Sequence, residues 1–290
     1  MFIRLEHLDI GYGGRHRHIV ATDLNFVAEG GQLTCLLGRN GTGKSTLLRT
    51  LAGLQRPLGG RIVLEKEEGD EFQVSSFERQ SHSFESDGRL CSVVLTDRID
   101  DLSLSVEEVV AMGRMPYTGF WGRLTDQDRL IVSEAMATTG IDSMARKPWN
   151  TLSDGERQKV LIAKAVAQQT PLMLLDEPTA FLDHPSKIET FALLKRLAHE
   201  QGKIIILSTH DLELARQWGD HFWEMSLSAS HATEATSPRE TDALLNGKHW
   251  VRYKKALLCR RQSNAFLQQM YHLIVRRYAA SRREQPGHRC

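Results

Sequence analysis

Cysteine is scarce in this chain and has no metal-ligand spacing. The four residues are Cys35, Cys91, Cys259 and Cys290, and Cys35 falls inside an apolar run expected to be a core strand. This argues for a reducing compartment and against a zinc site or a disulfide framework. Long apolar runs are missing as well. No stretch approaches the roughly 20 residues of a membrane-crossing helix, and no basic segment followed by a long apolar one suggests a secretory signal. The protein is therefore expected to be soluble, or to bind a membrane protein peripherally. Net charge is nearly absent: 37 Lys and Arg against 36 Asp and Glu leave +1. That balance predicts no general affinity for nucleic acid or an anionic membrane, although most of the basic excess lies near the end of the chain.

What is present suffices for a sizeable core. A chain of 290 residues and 32.8 kDa can build one large α/β domain, or a core with a smaller insert. Its organising element is the run Gly38, Arg39, Asn40, Gly41, Thr42, Gly43, Lys44, Ser45, Thr46. It follows the apolar residues 33–37 and precedes a helix expected from Lys44, the strand, loop and helix context of a phosphate cradle. The glycines allow a tight turn with inward N–H groups. Lys44 can reach the β and γ phosphates of a nucleotide, and Ser45 can ligate magnesium. The plainer reading is a glycine-rich turn before an ordinary helix, but that leaves the placed lysine and hydroxyl without a purpose.

Upstream, residues 1–10 read as an antiparallel edge strand and residues 19–27 as another strand. Tyr12 offers a flat ring to adenine, or is simply a structural aromatic. Downstream, Leu47, Leu48, Leu51 and Leu54 form an apolar stripe, residues 61–65 a short strand, and residues 67–89 a polar loop with one strand near 72–74. Residues 91–95 read as a strand. Residues 106–112 and 126–138 read as helices within an insertion spanning about 98–160. The aromatic turn between them could contact a partner or pack internally.

Ser153 and Gly155 open a further helix and could present a hydroxyl and backbone donors to phosphate, or merely cap it. The apolar strand 172–175 carries the stronger signal, because Asp176 and Glu177 emerge at its carboxyl end, where α/β proteins commonly place ligand chemistry. Asp176 can hold a magnesium-bound water, and Glu177 can orient or deprotonate an attacking water. A loop containing Asp183, a helix over 186–201 and the strand 203–208 follow. His210 comes after that strand and could donate to a terminal phosphate, or be structural. Residues 212–218 suggest a helix, 221–225 a short strand, and 226–238 a loop or boundary. The basic remainder has a possible amphipathic helix over 264–278 that could meet lipid headgroups, RNA or an acidic partner, or be a solvated extension.

In their order, the phosphate loop, Ser153 segment, acidic strand end, Asp183 loop and His210 closely resemble the nucleotide-binding subunit of an ATP-binding-cassette transporter, over residues 1–225. The resemblance implies a P-loop cassette with a RecA-like core, an antiparallel β subdomain and an inserted helical subdomain. It implies that Tyr12 stacks on adenine, residues 38–46 hold phosphates, and Asp176 supports Mg2+. Glu177 is then the catalytic carboxylate and His210 the γ-phosphate switch. Ser153, Gly155 and Glu156 belong to the signature surface, which meets ATP across a head-to-tail dimer, and Asp183 lies in the loop beside it.

Three departures stand out. Thr96, followed by Asp97, occupies the place of a glutamine that senses magnesium and the membrane partner. Thr96 is shorter and lacks the amide, so it needs a water to reach the ion, or the coupling differs. Asp154 replaces a glycine and is expected to face away from the phosphates or toward a basic group, while Glu156 stands at a glutamine position. The tail over 226–290 lies outside the resemblance.

Residues 106–123, above all Gly113-Arg114-Met115-Pro116-Tyr117 and Trp121-Gly122-Arg123, resemble importers of iron chelates, haem or cobalamin. This implies two copies docked beneath two transmembrane permease subunits on the cytoplasmic face of the membrane, with a separate binding protein delivering the substrate. Two other outputs use the same motifs: a soluble switch in nucleic-acid repair or translation, if the tail binds nucleic acid, and a transporter regulator with impaired turnover, motivated by Thr96 and Asp154.

Overall fold

Two sheets carry the strands of the described residues: β1 (Phe2–Tyr12), β2 (His18–Glu29), β3 (Leu33–Gly38), β4 (Gly59–Glu65), β5 (Glu71–Ser76), β6 (Cys91–Val94), β7 (Leu172–Leu175), β8 (Ile204–Thr209), β9 (His221–Met225) and β10 (Ala232–Ala235). The structure is a computed structural model that describes residues 1–13, 18–65, 71–76, 88–95, 103–119, 122–225 and 232–235. The chain divides into a unit Met1–Gly247, which holds every element below, and a unit Lys248–Cys290. The helix expected over 264–278 lies outside the described residues.

The first sheet is antiparallel, in the order β2-β1-β4-β5. The edge position expected of β1 is wrong, because it bonds β2 on one side and β4 on the other. Alternation shows that one face is buried but does not reveal how many neighbours a strand has. Ile3 and Leu5 point into the core, and so do Leu8 and Ile10. The parity change between these pairs coincides with a bulge at which His7 takes φ 47°. The extra residue keeps the apolar side chains on one face.

The second sheet runs β10-β9-β3-β8-β7-β6, parallel except where β10 meets β9. Its central strands β7 and β8 are buried along their whole length and β3 at every residue before Gly38, as strands covered on both faces must be. Leu36, Leu172, Leu174, Ile204 and Ile206 join the residues of the first sheet and Leu47, Leu48 and Leu51 in one core. Phe26 stacks on Trp223 at 4.6 Å, and the Trp223 indole donates to Val27 O at 3.2 Å, tying the two sheets together. Leu54 leaves the expected stripe: α1 (Lys44–Leu51) ends before it, and its side chain is exposed. β10 falls where a loop was expected, since its small and polar residues carry no apolar signal.

The other helices are α2 (Val106–Ala111), α3 (Asp126–Thr139), α4 (Asp154–Ala167), α5 (His184–Gln201) and α6 (Leu212–Trp218). Ser105, Thr125 and Ser153 begin α2, α3 and α4 with capping boxes closed by Glu108, Asp128 and Glu156, each satisfying two backbone donors at a helix start. Between α2 and α3, where a turn was expected, a 3-10 segment Met112–Tyr117 forms. Arg114 turns inward from it: its Nε donates to Asp128 at 2.9 Å and its Nη1 to Ala167 O at 2.9 Å. Tyr117 lies against the guanidinium and donates its hydroxyl to Gln168 O at 2.8 Å. These residues of the aromatic turn thus pack internally, while Phe120 and Trp121 lie outside the described residues.

Hydrogen bonds from Thr125, then Arg114, hold the Asp128 carboxyl down at about 2, against an ordinary 3.8. A carboxyl lowered by folding stabilises the fold above its unfolded value, so this contribution is lost as pH falls from about 3.8 toward 2. Asp128→Ala leaves the buried guanidinium without its partner charge and should cost about 3 kcal/mol, read as a lowered urea midpoint at neutral pH.

Candidate functional site

The carboxyl ends of β3, β7 and β8 lie side by side, because these strands are parallel neighbours in the order β3-β8-β7. Each delivers one part of the site: β3 runs into the glycine-rich loop, β7 into Asp176 and Glu177, and β8 into His210.

The loop conformation depends on glycine at two positions in particular. Gly43 has φ 100°, and a Cβ there would stand 2.4 Å from Val20 Cγ1. Gly38 has φ 152°, and a Cβ would stand 2.6 Å from Met225 O. Within the loop Thr42 Oγ1 donates to Arg39 O at 2.9 Å. Arg39, Asn40, Gly41 and Ser45 are exposed, whereas Thr42, Lys44 and Thr46 are buried. The Lys44 ammonium folds back across the loop, donating to Gly38 O at 2.8 Å and to Arg39 O at 3.4 Å. Tyr12 is exposed beside it, its hydroxyl 3.4 Å from Thr46 Oγ1 and its ring stacked with His18.

A chain of polar contacts crosses the site. Lys44 Nζ is 3.8 Å from Glu177 Oε1, and Glu177 Oε2 is 2.8 Å from His210 Nδ1. Glu177 takes φ 47°, a left-handed conformation that costs a side-chain-bearing residue about 1 kcal/mol. Its backbone N–H donates to Ser208 Oγ at 2.8 Å, and Ser208 in turn donates to Asp176 Oδ1 at 2.6 Å. Sequence reasoning missed Ser208. The only available signal was a hydroxyl closing the apolar run Ile204, Ile205, Ile206, Leu207, directly before Thr209 and His210.

A second group forms around the start of α4. Ser153 Oγ accepts from Glu156 N at 3.2 Å, and Glu156 accepts from Ser153 N at 2.9 Å and from Lys147 at 3.0 Å. The Ser153 backbone bond, then Lys147, lowers the Glu156 carboxyl below its ordinary value. Asp154 turns toward a basic group, 4.0 Å from Arg157. Gly155 lies against Leu182 and Phe181 O, where a Cβ would come within 3.2 Å and 3.9 Å. One residue on, Asp183 caps α5 by accepting from Ser186 N at 3.3 Å, and the Ser186 hydroxyl, then that backbone contact, lowers its carboxyl.

Thr96 and Asp97 lie outside the described residues. The remaining hard oxygen donors, the Ser45 hydroxyl and the Asp176 carboxylate, suit Mg2+, which takes one or two protein oxygens and completes its shell with phosphates and waters. Among the described residues, no cluster of three or more His, Cys, Asp or Glu could enclose a metal ion instead. No helix among them is long and apolar enough to cross a membrane.

A family model described as ABC transporter matches residues 21–180. The chain is 36% identical over 229 residues to an ABC transporter ATP-binding protein of Methanocaldococcus jannaschii, covering 79% of this chain and 73% of the relative. It is 37% identical over 217 residues to the iron(3+)-hydroxamate import ATP-binding protein FhuC of Bacillus subtilis, covering 74% and 76%. Among solved structures, cbiO1 of Clostridium perfringens, part of the ABC transporter complex cbiONQ, is similar with a TM-score of 0.69 and 26% identity, over 94% of this chain and 98% of that one.

Proposed function

This chain belongs to the ATP-binding-cassette transporter family, and from that we propose that it is the ATP-hydrolysing subunit of an importer for iron chelates or a related cargo such as haem or cobalamin. The observation that carries the proposal is the continuous Lys44, Glu177, His210 contact chain at the mouth of the phosphate loop. The iron-chelate cargo is supported by the relative named for iron(3+)-hydroxamate import. Two copies would act together, head to tail, docked on two permease subunits at the cytoplasmic face of the membrane, with a binding protein delivering cargo.

In this reading Tyr12 stacks on adenine, and the exposed loop N–H groups cradle the phosphates. Lys44 exchanges its carbonyl partners Gly38 and Arg39 for phosphate oxygens. Ser45 and Asp176 would hold Mg2+, which when bound supplies charge neutralisation at the phosphates. Glu177 aligns water in line with the γ phosphate and takes its proton. The Glu177 contact already in place sets the His210 imidazole at the same point, from which it can turn to donate to the terminal phosphate. Ser153 and Gly155 of the opposing copy would close over the nucleotide, their helix start presenting N–H donors to anionic oxygen. Closure and reopening of the pair would drive the permease.

The experiment is recovery of the tagged full-length chain from its native cells in mild detergent. A polytopic permease subunit in equal amount, and Mg2+-dependent ATP hydrolysis by the recovered complex, are expected. Reproducible recovery of a soluble or nucleic-acid assembly without such a subunit would overturn the transport reading.

A further inference from the structure

Ser208 is completely buried, in a strand whose other residues are apolar except Thr209. A buried hydroxyl must find partners, and this one finds both of them in the site. A serine hydroxyl has one proton to give. The Glu177 N–H can only donate, so Ser208 Oγ accepts there, at 2.8 Å, and its own proton points to Asp176 Oδ1, at 2.6 Å. On its other side β8 pairs with β3, with Ser208 opposite Leu36, two residues before Gly38. The same residue thus sits in register with the strand that feeds the phosphate loop and two positions before His210.

We infer that Ser208 is a positioning residue for ATP hydrolysis: its single hydroxyl fixes the Asp176 carboxylate and the Glu177 backbone in one geometry. The inference rests on the hydrolytic reading of the site. Glu177 takes φ 47°, a conformation that side chains disfavour and that surrounding structure has to hold. The Ser208 bond pins that peptide, which sets where the Glu177 side chain departs. The bond to Asp176 commits one carboxylate oxygen to the protein and so orients the carboxylate. A shift at either residue is therefore felt at the other.

The test compares Ser208→Ala, Ser208→Cys and Ser208→Thr in the full-length chain. Ser208→Ala should lower kcat by about 10- to 100-fold, the usual effect of removing a hydrogen-bond partner of a metal-ligating group. Two readouts do not depend on turnover. The gain in affinity for a non-hydrolysable ATP analogue on adding Mg2+ should shrink by about tenfold, while affinity without Mg2+ stays as in the wild type. Amide exchange at Asp176 and Glu177 should accelerate. Ser208→Cys keeps the volume without a strong donor and should behave as the alanine variant does, whereas Ser208→Thr keeps the hydroxyl and should restore function.

Wild-type kcat, Mg2+ response and exchange in Ser208→Ala, alongside an inactive Glu177→Gln, would overturn the inference and leave the hydrolytic reading standing. Full turnover in both would overturn the role of Glu177 as the water-activating group, and absence of ATP hydrolysis by the wild-type complex would overturn the hydrolytic reading itself. If Ser208→Ala does not fold, the cysteine and threonine variants decide: equal activity and equal Mg2+ response in the two would show that the hydroxyl has no positioning role.

Discussion

Glu177→Gln is expected to bind ATP as tightly as the wild type and to turn it over at least about 100-fold more slowly, the usual range for removing a positioned proton acceptor. The amide preserves size and can still accept from His210 Nδ1, which lies 2.8 Å from the carboxylate. It cannot take a proton from water, and it removes the negative charge that Lys44 faces at 3.8 Å. Binding and chemistry should therefore separate. Phosphate release and equilibrium ATP binding, measured on the same preparation, check the result. If turnover is undiminished, Glu177 is not the water-activating group. A stalled, ATP-loaded pair of chains should also persist in size-exclusion chromatography, because hydrolysis no longer reopens it.

Lys44→Ala is the second large effect, and its loss falls on binding. The ammonium is buried, and among the described residues two backbone carbonyls and Glu177 stand close to it. Charged hydrogen bonds to phosphate contribute roughly 1.5–3 kcal/mol each, so losing them should weaken ATP binding by about 100-fold. Titration with a fluorescent ATP analogue checks this. The Glu177 carboxylate then also faces the phosphates without a screening cation, which adds repulsion. Arginine should not rescue, because its broad planar head cannot replace a compact ammonium in a loop closed by Gly38 and Gly43. Wild-type affinity in Lys44→Ala would remove this loop from the nucleotide site.

The parts of the site that sequence made legible are those whose chemistry is contiguous. Residues 38–46 place the cation and hydroxyl within one turn, and Asp176 and Glu177 are neighbours directly after an apolar strand. His210 follows the strand beside them, and parallel order alone brings it to Glu177. Ser208 gave no comparable signal, because a serine in a strand has many ordinary explanations and its partners are 31 and 32 residues away.

The fold shows the same division. Alternation located β1, but the second neighbour that makes it an inner strand is β4, far along the chain. The ion pair of Arg114 with Asp128 joins two segments that look independently like surface turn and helix start. Each half is unremarkable in sequence, and only folding puts the guanidinium out of reach of water. β10 shows the opposite case, a strand defined by its pairing with β9 and by no apolar pattern of its own.

The Arg114 clamp has a mechanical consequence. It grips the far end of α4, at Ala167 O and Gln169, while Ser153 caps the near end. The helix between them has 14 residues, about 21 Å at 1.5 Å per residue. A rod of that length, tilted by about 10° around its clamped end, carries its tip through nearly 4 Å, more than the reach of a hydrogen bond. A small rocking of the 3-10 segment, whose Met112 and Met115 face outward, would by this lever become a displacement of hydrogen-bond size at Ser153.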